Sequence, residues 1–183
     1  MLLTRLAIVG NGMVGHHLIQ SLADQDIIDQ YAITLFCEEP QLAYDRVNLT
    51  KYLSGSSSDD LSLGNIGDYE RWGLDVKLGV TVTNIDLQSH CVSASDGSHT
   101  QYHKLILATG SYPFVPPVPG HDLKPCFVYR TLADLDAIEA AAKSAQIGVV
   151  VGGGLLGLEA AKALVDLGLT THVVEFSDRL MMQ

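Results

Sequence analysis

A three-layer α/β fold around a parallel sheet is what this chain of 183 residues predicts, and three features of the sequence carry that expectation. Two apolar runs break into glycine motifs, Gly10-Asn11-Gly12-Met13-Val14-Gly15 and Gly152-Gly153-Gly154-Leu155-Leu156-Gly157. Apolar residues at helical spacing follow each motif, so each reads as strand, tight turn and helix. From Leu74 to Ala108 the pattern shortens to alternating segments, which predicts an antiparallel meander inserted into the parallel framework.

In a Rossmann-like dinucleotide fold the first glycine of such a motif permits the turn and the second lets a pyrophosphate approach the backbone. The third lets the helix pack closely on the strand. Those roles fall to Gly10, Gly12 and Gly15, and again to Gly152, Gly154 and Gly157, with Asn11, Met13, Val14, Leu155 and Leu156 completing the two loops. A helix N-terminus receives the phosphates on its unpaired N–H groups and its positive dipole end, without any basic side chain. Two motifs this far apart predict two dinucleotides.

Eleven basic residues against 21 acidic ones leave a net charge of −10, which argues against nucleic acid or an anionic membrane as partner. The longest uncharged apolar stretch, residues 147–158, is interrupted by glycines and too short to span a bilayer. The chain runs from Arg5 straight into the first strand with no separate apolar leader, so a cytoplasmic protein is expected. Cys37, Cys91 and Cys126 are odd in number and lack dithiol or ligand spacing, which fits reduced, non-catalytic thiols. The histidines show no metal-binding spacing, and no metal is expected.

Taken in order, residues 13–23 place Val14, Leu18, Ile19 and Leu22 at helical intervals and form the first crossover helix. After a polar connection, Ala32-Ile33-Thr34-Leu35-Phe36-Cys37 reads as a buried strand. A carboxylate at the end of the second strand accepts the ribose hydroxyls of a dinucleotide. Glu38 directly follows the strand and is favoured, with Glu39 as the alternative, although the connection is longer than usual; the glycine loop upstream favours this role for one of the two over a solvated acidic turn. On residue type alone Arg46 and Lys51 are equally an exposed helical pair.

Residues 54–60 form a serine-rich flexible loop, and residues 65–73 one or two helical turns at the surface, stopping at Gly73. The meander comprises residues 76–78, 80–85 and 91–94, the hairpin signal Asp96-Gly97, and residues 102–107. Residues 104–110 also read as a buried strand ending in Ala108-Thr109-Gly110, where Gly110 relieves crowding. Prolines 113, 116, 117 and 119 stiffen the connector that follows. Thr131 caps a helix to about residue 142, with Asp134 as its capping-box partner. A strand over 147–151, a helix over 155–167 with Gly168 as stop, and a strand over 171–174 then lead to Glu175. That acid lies at the ordinary spacing of about twenty residues for a ribose-binding carboxylate. A carboxylate there repels a 2′-phosphate, which favours NADH over NADPH, and Arg179 lies close enough to soften the preference.

The acids, Tyr44-Asp45-Arg46, Leu49-Thr50-Lys51, residues 107–113, Phe127-Val128-Tyr129-Arg130-Thr131 and the second glycine loop together resemble the FAD-dependent pyridine nucleotide-disulfide oxidoreductases, in the branch of the NAD(P)H-dependent nitrite reductase large subunits. The resemblance covers essentially the whole chain. It implies FAD at the first loop and NAD(P)H at the second, Arg46 approaching the FAD, Lys51 reaching toward the isoalloxazine ring, and the backbone around Val82 touching the adenine end. Val47-Asn48 stand where related reductases often have two prolines.

The resemblance further implies a flavoprotein oxidoreductase of nitrate assimilation that passes electrons from NADH to FAD. Its iron–sulfur and sirohaem partners for turning nitrite into ammonia would lie in downstream domains or a small subunit. Residues 1–118 would be the first part of the FAD-binding domain, 119–146 a connector with a helix, and 147–183 the start of an NAD(P)-binding domain cut short. A homo-oligomer is compatible with this. The alternatives are an NADH-dependent rubredoxin or ferredoxin reductase, or an FAD-binding module without turnover. No C-x-x-C or C-x-x-x-x-C is present, so disulfide exchange is unsupported. No catalytic side chain is expected, because hydride transfer needs alignment and exclusion of water more than an acid or base. These 183 residues alone are expected to be inactive on nitrite.

Overall fold

A computed structural model describes residues 3–182 of the chain. Its elements run β1 (Thr4–Val9), α1 (Met13–Asp24), β2 (Tyr31–Cys37), α2 (Leu49–Leu53), α3 (Ser58–Leu61) and α4 (Ile66–Arg71). Five short strands follow: β3 (Asp75–Leu78), β4 (Val82–Asp86), β5 (Cys91–Ala94), β6 (His99–Gln101) and β7 (Lys104–Leu107). The chain continues through α5 (Leu132–Ala142), β8 (Ile147–Val151), α6 (Leu155–Asp166) and β9 (Thr170–Val174). Single 3-10 turns occupy Ile28–Gln30 and Arg46–Asn48. Two compact units result, one running to Asp45 and resuming over Ser62–Ser111, the other taking Arg46–Leu61 and the residues from Tyr112 onward.

The first unit has the three layers that its sequence predicts. Its central sheet has the order β3-β2-β1-β7, with every neighbouring pair parallel. Side chains alternate across β1. Leu6 and Ile8 enter a core with Ile19 of α1, Ile33 and Leu35 of β2, and Tyr69 of α4. Ala7 and Val9 enter the opposite core with Phe36, Val92, Ala94 and Tyr102. The second core is roofed by the antiparallel sheet β4-β5-β6, which turns at Gly97 (φ 81°) as Asp96-Gly97 predicts. Full burial of side chains such as Ile8, Ile19 and Leu35 contributes about 1.5–3 kcal/mol each.

The second unit holds the parallel pair β8-β9 with α6 as its crossover. There α2 packs against α5 and α6. Leu49, Leu53, Leu61, Leu132, Leu135, Ala163 and Leu169 are buried. Thr131 and Asp134 form the capping box at the start of α5, each side chain accepting the other's backbone N–H at 3.2 and 2.8 Å.

Four local expectations are revised. Residues 76–78 do not join the meander: β3 pairs in parallel with β2, from Thr34–Asp75 to Cys37–Leu78, and His99–Gln101 supplies the meander's third strand instead. The serine-rich segment contains a helical turn, Ser58–Leu61, fastened by the Ser57 and Asp60 side chains. Helix α4 is not confined to the surface, since Tyr69 is fully buried. Finally, the compact units do not follow linear boundaries. Residues 46–61 belong with the later chain, where Tyr52 donates to Asp136, Tyr129 to Thr50, and Arg46 to the Arg130 carbonyl.

Candidate functional site

In the first unit the chain leaves β1 through Gly10, whose φ of 103° is open to glycine and strained for other residues. A Cβ on Gly10 would run into the Ala108 carbonyl, and one on Gly15 into the Gly10 carbonyl. The Gly10 N–H donates to the Phe36 carbonyl at 2.9 Å, which ties the turn to β2. Gly12 is the N-cap of α1 and offers no side chain to the first-turn N–H groups, and that turn contains no acid. The N-terminus of a twelve-residue helix therefore presents donors and positive potential to an anion, as a pyrophosphate requires. Met13 and Val14 are exposed beside it, while Asn11 and Gly15 are buried.

Around this turn the same unit gathers most residues expected at a first dinucleotide site. Glu38 is exposed at the end of β2. The neighbouring Glu39 is half-buried, and its Oε2 accepts from Tyr44 at 2.7 Å and Gln41 at 3.2 Å. Ala108 continues β7 beside the loop and donates its N–H to the Val9 carbonyl at 2.8 Å. Thr109 and Gly110 follow it at the surface, the latter with φ of 72°. Val82 starts β4 and packs in the core beneath the antiparallel sheet.

The second loop repeats the first nearly bond for bond. Gly152 has φ of 113°, and its N–H donates to the Val174 carbonyl at 2.8 Å. Gly154 caps α6 with φ −77° and ψ −176°, against −80° and −166° at Gly12. A Cβ on Gly157 would strike the Gly152 carbonyl, as one on Gly15 would strike that of Gly10. Leu155 and Leu156 are exposed, matching Met13 and Val14.

Glu175 closes this loop from beyond β9. One carboxylate oxygen accepts the Gly153 N–H at 2.5 Å and the other the Ser177 N–H at 2.9 Å. Those backbone donors, Ser177 foremost, hold the carboxyl below its ordinary range, so it is fully charged at neutral pH. Arg46 and Lys51 lie in the second unit, Arg46 half-buried in its 3-10 turn with a 3.2 Å bond to the Arg130 carbonyl, and Lys51 exposed on α2.

Residues 4–183 match the family model of the pyridine nucleotide-disulphide oxidoreductases. The chain belongs to this family. Among its relatives in that family, the nitrite reductase [NAD(P)H] large subunit of Klebsiella oxytoca is 54% identical over 96% of this chain and 18% of its own length. The nitrite reductase (NADH) large subunit of Escherichia coli K12 is 51% identical over 98% of this chain and 21% of its own length. The chain thus spans about a fifth of the length of these curated relatives. The solved ferredoxin reductase for the CYP199A2 system of Rhodopseudomonas palustris superposes with a TM-score of 0.89 at 26% identity, covering 97% of this chain and 44% of that one.

Sequence reasoning missed a polar cluster under the first glycine loop. His16 Nδ1 lies 2.7 Å from Tyr69 Oη, which lies 3.2 Å from Asn11 Oδ1, and the Asn11 amide also faces the Cys37 thiol. Burial pushes the Tyr69 phenol and the Cys37 thiol each up to about 12, so both keep their protons at neutral pH. The one available signal was a polar Asn between two glycines followed by His16, which by itself points to no partner fifty residues away.

Proposed function

We propose that this chain binds FAD at its first glycine loop and NADH at its second, as the electron-entry part of an NAD(P)H-dependent nitrite reductase. The observation that carries this reading is the identity of 54% and 51% to two nitrite reductase large subunits, spread over nearly the whole chain and therefore across both loops. FAD held at the first glycine loop would supply the redox chemistry between the nicotinamide and later electron acceptors.

The chain's own residues hold and orient. First-turn N–H groups of α1, reached across Gly10, Gly12 and Gly15, take the flavin nucleotide's pyrophosphate, with Asn11, Met13 and Val14 completing that loop. Glu38, beside Glu39, accepts the ribose hydroxyls, Val82 meets the adenine end, and Ala108, Thr109 and Gly110 flank the turn. Arg46 and Lys51 are assigned to FAD on the same reading. Gly152, Gly154, Leu155, Leu156 and Gly157 receive the NADH pyrophosphate, and charged Glu175 accepts its ribose hydroxyls while repelling a 2′-phosphate. No side chain acts as acid or base, because alignment and exclusion of water carry a hydride transfer. Iron–sulfur centres and sirohaem belong to other domains of a complete cytoplasmic enzyme or to a small subunit.

Flavin fluorescence titration of the chain and of Gly12→Leu tests the first site. The leucine side chain occupies the approach of the pyrophosphate, so FAD affinity falls about tenfold or more. Equal affinity in the two proteins would place FAD elsewhere. The fold match to a ferredoxin reductase favours a second reading, reduction of a small iron–sulfur protein. NADH-driven reduction of added ferredoxin by the FAD-loaded protein would select it.

A further inference from the structure

We propose that His16, Tyr69, Asn11 and Cys37 form one directed hydrogen-bond chain that fixes the Gly10-Asn11-Gly12 turn, and that its direction requires a neutral His16 protonated on Nε2. Asn11 lies between the first two glycines of the loop, and its side chain points inward: the residue is 9% exposed and its Nδ2 is fully buried without an acceptor. Tyr69 Oη stands between His16 Nδ1 at 2.7 Å and Asn11 Oδ1 at 3.2 Å. A phenol has one proton to give. If it goes to Asn11 Oδ1, His16 must donate from Nδ1 and the buried Asn11 N–H groups meet only the Cys37 sulfur, a weak acceptor.

The two ends of a carboxamide have nearly the same shape, so the network around it decides its orientation. With the amide turned over, each link of the chain has one donor and one acceptor. Cys37 Sγ–H donates to Asn11 Oδ1, Asn11 Nδ2–H to Tyr69 Oη, and Tyr69 O–H to His16 Nδ1. The Leu63 carbonyl beside the imidazole ring favours a ring N–H, and with Nδ1 facing Tyr69 that role falls to Nε2–H. Gly64 leaves room for the His16–Tyr69 pair, since a Cβ there would lie 2.8 Å from His16 Cε1 and 3.1 Å from Tyr69 Cε2.

Protonating His16 turns Nδ1 into a donor and reverses the chain, which puts the Asn11 N–H groups back against the thiol sulfur, a weak acceptor. The chain ends at Cys37, next to Glu38, so it joins the phosphate turn to the ribose carboxylate position. The groups facing His16 are His17 on its own helix, Asp68 and Tyr69 from α4, and the Leu63 carbonyl. Burial first and His17 second hold His16 below its ordinary 6.5, outweighing Asp68 and Leu63. The neutral form therefore prevails at pH 7, and the chain reverses as pH falls through that lowered value. The consequence for FAD rests on the function proposed above; the hydrogen-bond chain does not.

Nitrogen-15 NMR of the labelled protein tests the chain without any cofactor. At about pH 7.5 the His16 ring is expected to be protonated on Nε2 with a bare Nδ1, and the Asn11 and Gly12 amides to titrate with the His16 midpoint. The other tautomer, or loop amides indifferent to His16, would overturn the proposal. For FAD, flavin fluorescence is expected to record about tenfold weaker binding at about pH 5 than at about pH 7.5. His16→Asn keeps an acceptor where Nδ1 lies but does not titrate, so it retains the affinity and flattens the profile. A profile in His16→Asn as steep as in the parent would also overturn the proposal. If the NMR expectations hold and FAD binds at no pH, the chain stands and the cofactor reading falls.

Discussion

Gly154 and Gly157 lie three residues apart in the second loop and differ in what surrounds them. A Cβ on Gly154 meets nothing within 4 Å and its backbone is extended, whereas one on Gly157 strikes the Gly152 carbonyl. Gly157→Ala is therefore expected to lower stability by about 1–3 kcal/mol, and Gly154→Ala by less than about 1 kcal/mol as a poorer N-cap. Thermal melts check the first difference. On the proposed function both variants are expected to weaken NADH binding, which separates the close approach of a phosphate from packing of the helix. Glu175 carries a pH prediction. The unfolded carboxyl protonates near its ordinary 4.5 and the folded one only lower, because backbone N–H groups stabilise the anion. Its stabilisation is whole above the unfolded value and is lost as pH falls through the folded one. In melting temperatures taken between about pH 6 and pH 3, Glu175→Gln should flatten that stretch. An unchanged slope would deny the carboxylate its hold on Gly153 and Ser177.

At the scale of elements, the long periodic segments are written plainly in the residues. Helices α1 and α6, strands β2, β8 and β9, and the capped start of α5 fall within a residue or so of where pattern and caps put them. Helix α5 owes its start to a local device, so Thr131→Ala should cost about 1 kcal/mol in urea unfolding while Thr131→Ser retains most of it. A Thr131→Ala variant as stable as the parent would mean that Leu132 and Leu135 hold the helix without its cap. Short elements were less legible. Strand β3 has four residues and α4 six, too few to establish a period, so residues 76–78 read as another piece of the meander. What assigns β3 is its parallel neighbour β2, more than thirty residues away.

For the molecule as a whole, the two glycine loops are matched strand–turn–helix devices held in separate compact units. The same turn, the same tie to the following strand and the same helix cap recur, and an acid follows the second strand of each unit, Glu38 after β2 and Glu175 after β9. Electrons leaving a flavin toward sirohaem need a metal wire. An iron–sulfur cluster in its usual form takes four thiolates, and this chain has three cysteines, of which Cys37 is buried. The purified 183-residue protein, supplied with FAD and NADH, should therefore not reduce nitrite. Nitrite-dependent NADH oxidation that a heat-treated control lacks would overturn the electron-entry reading.

The sequence alone determined the parallel α/β framework, both glycine loops, Glu175 at its ordinary spacing and the family resemblance. Each of these rests on local chemistry: a turn only glycine makes easily, a period, a cap, an acid one strand beyond a loop. Tertiary structure decided where contacts between distant residues set the outcome. It seated Tyr69 under the loop, turned Asn11 inward, placed β3 beside β2, and gathered residues 46–61 with Tyr129, Arg130 and Asp136. A hydroxyl or amide seen in sequence is as fit for water as for a buried partner, and only the packing that removes the water makes the partner necessary.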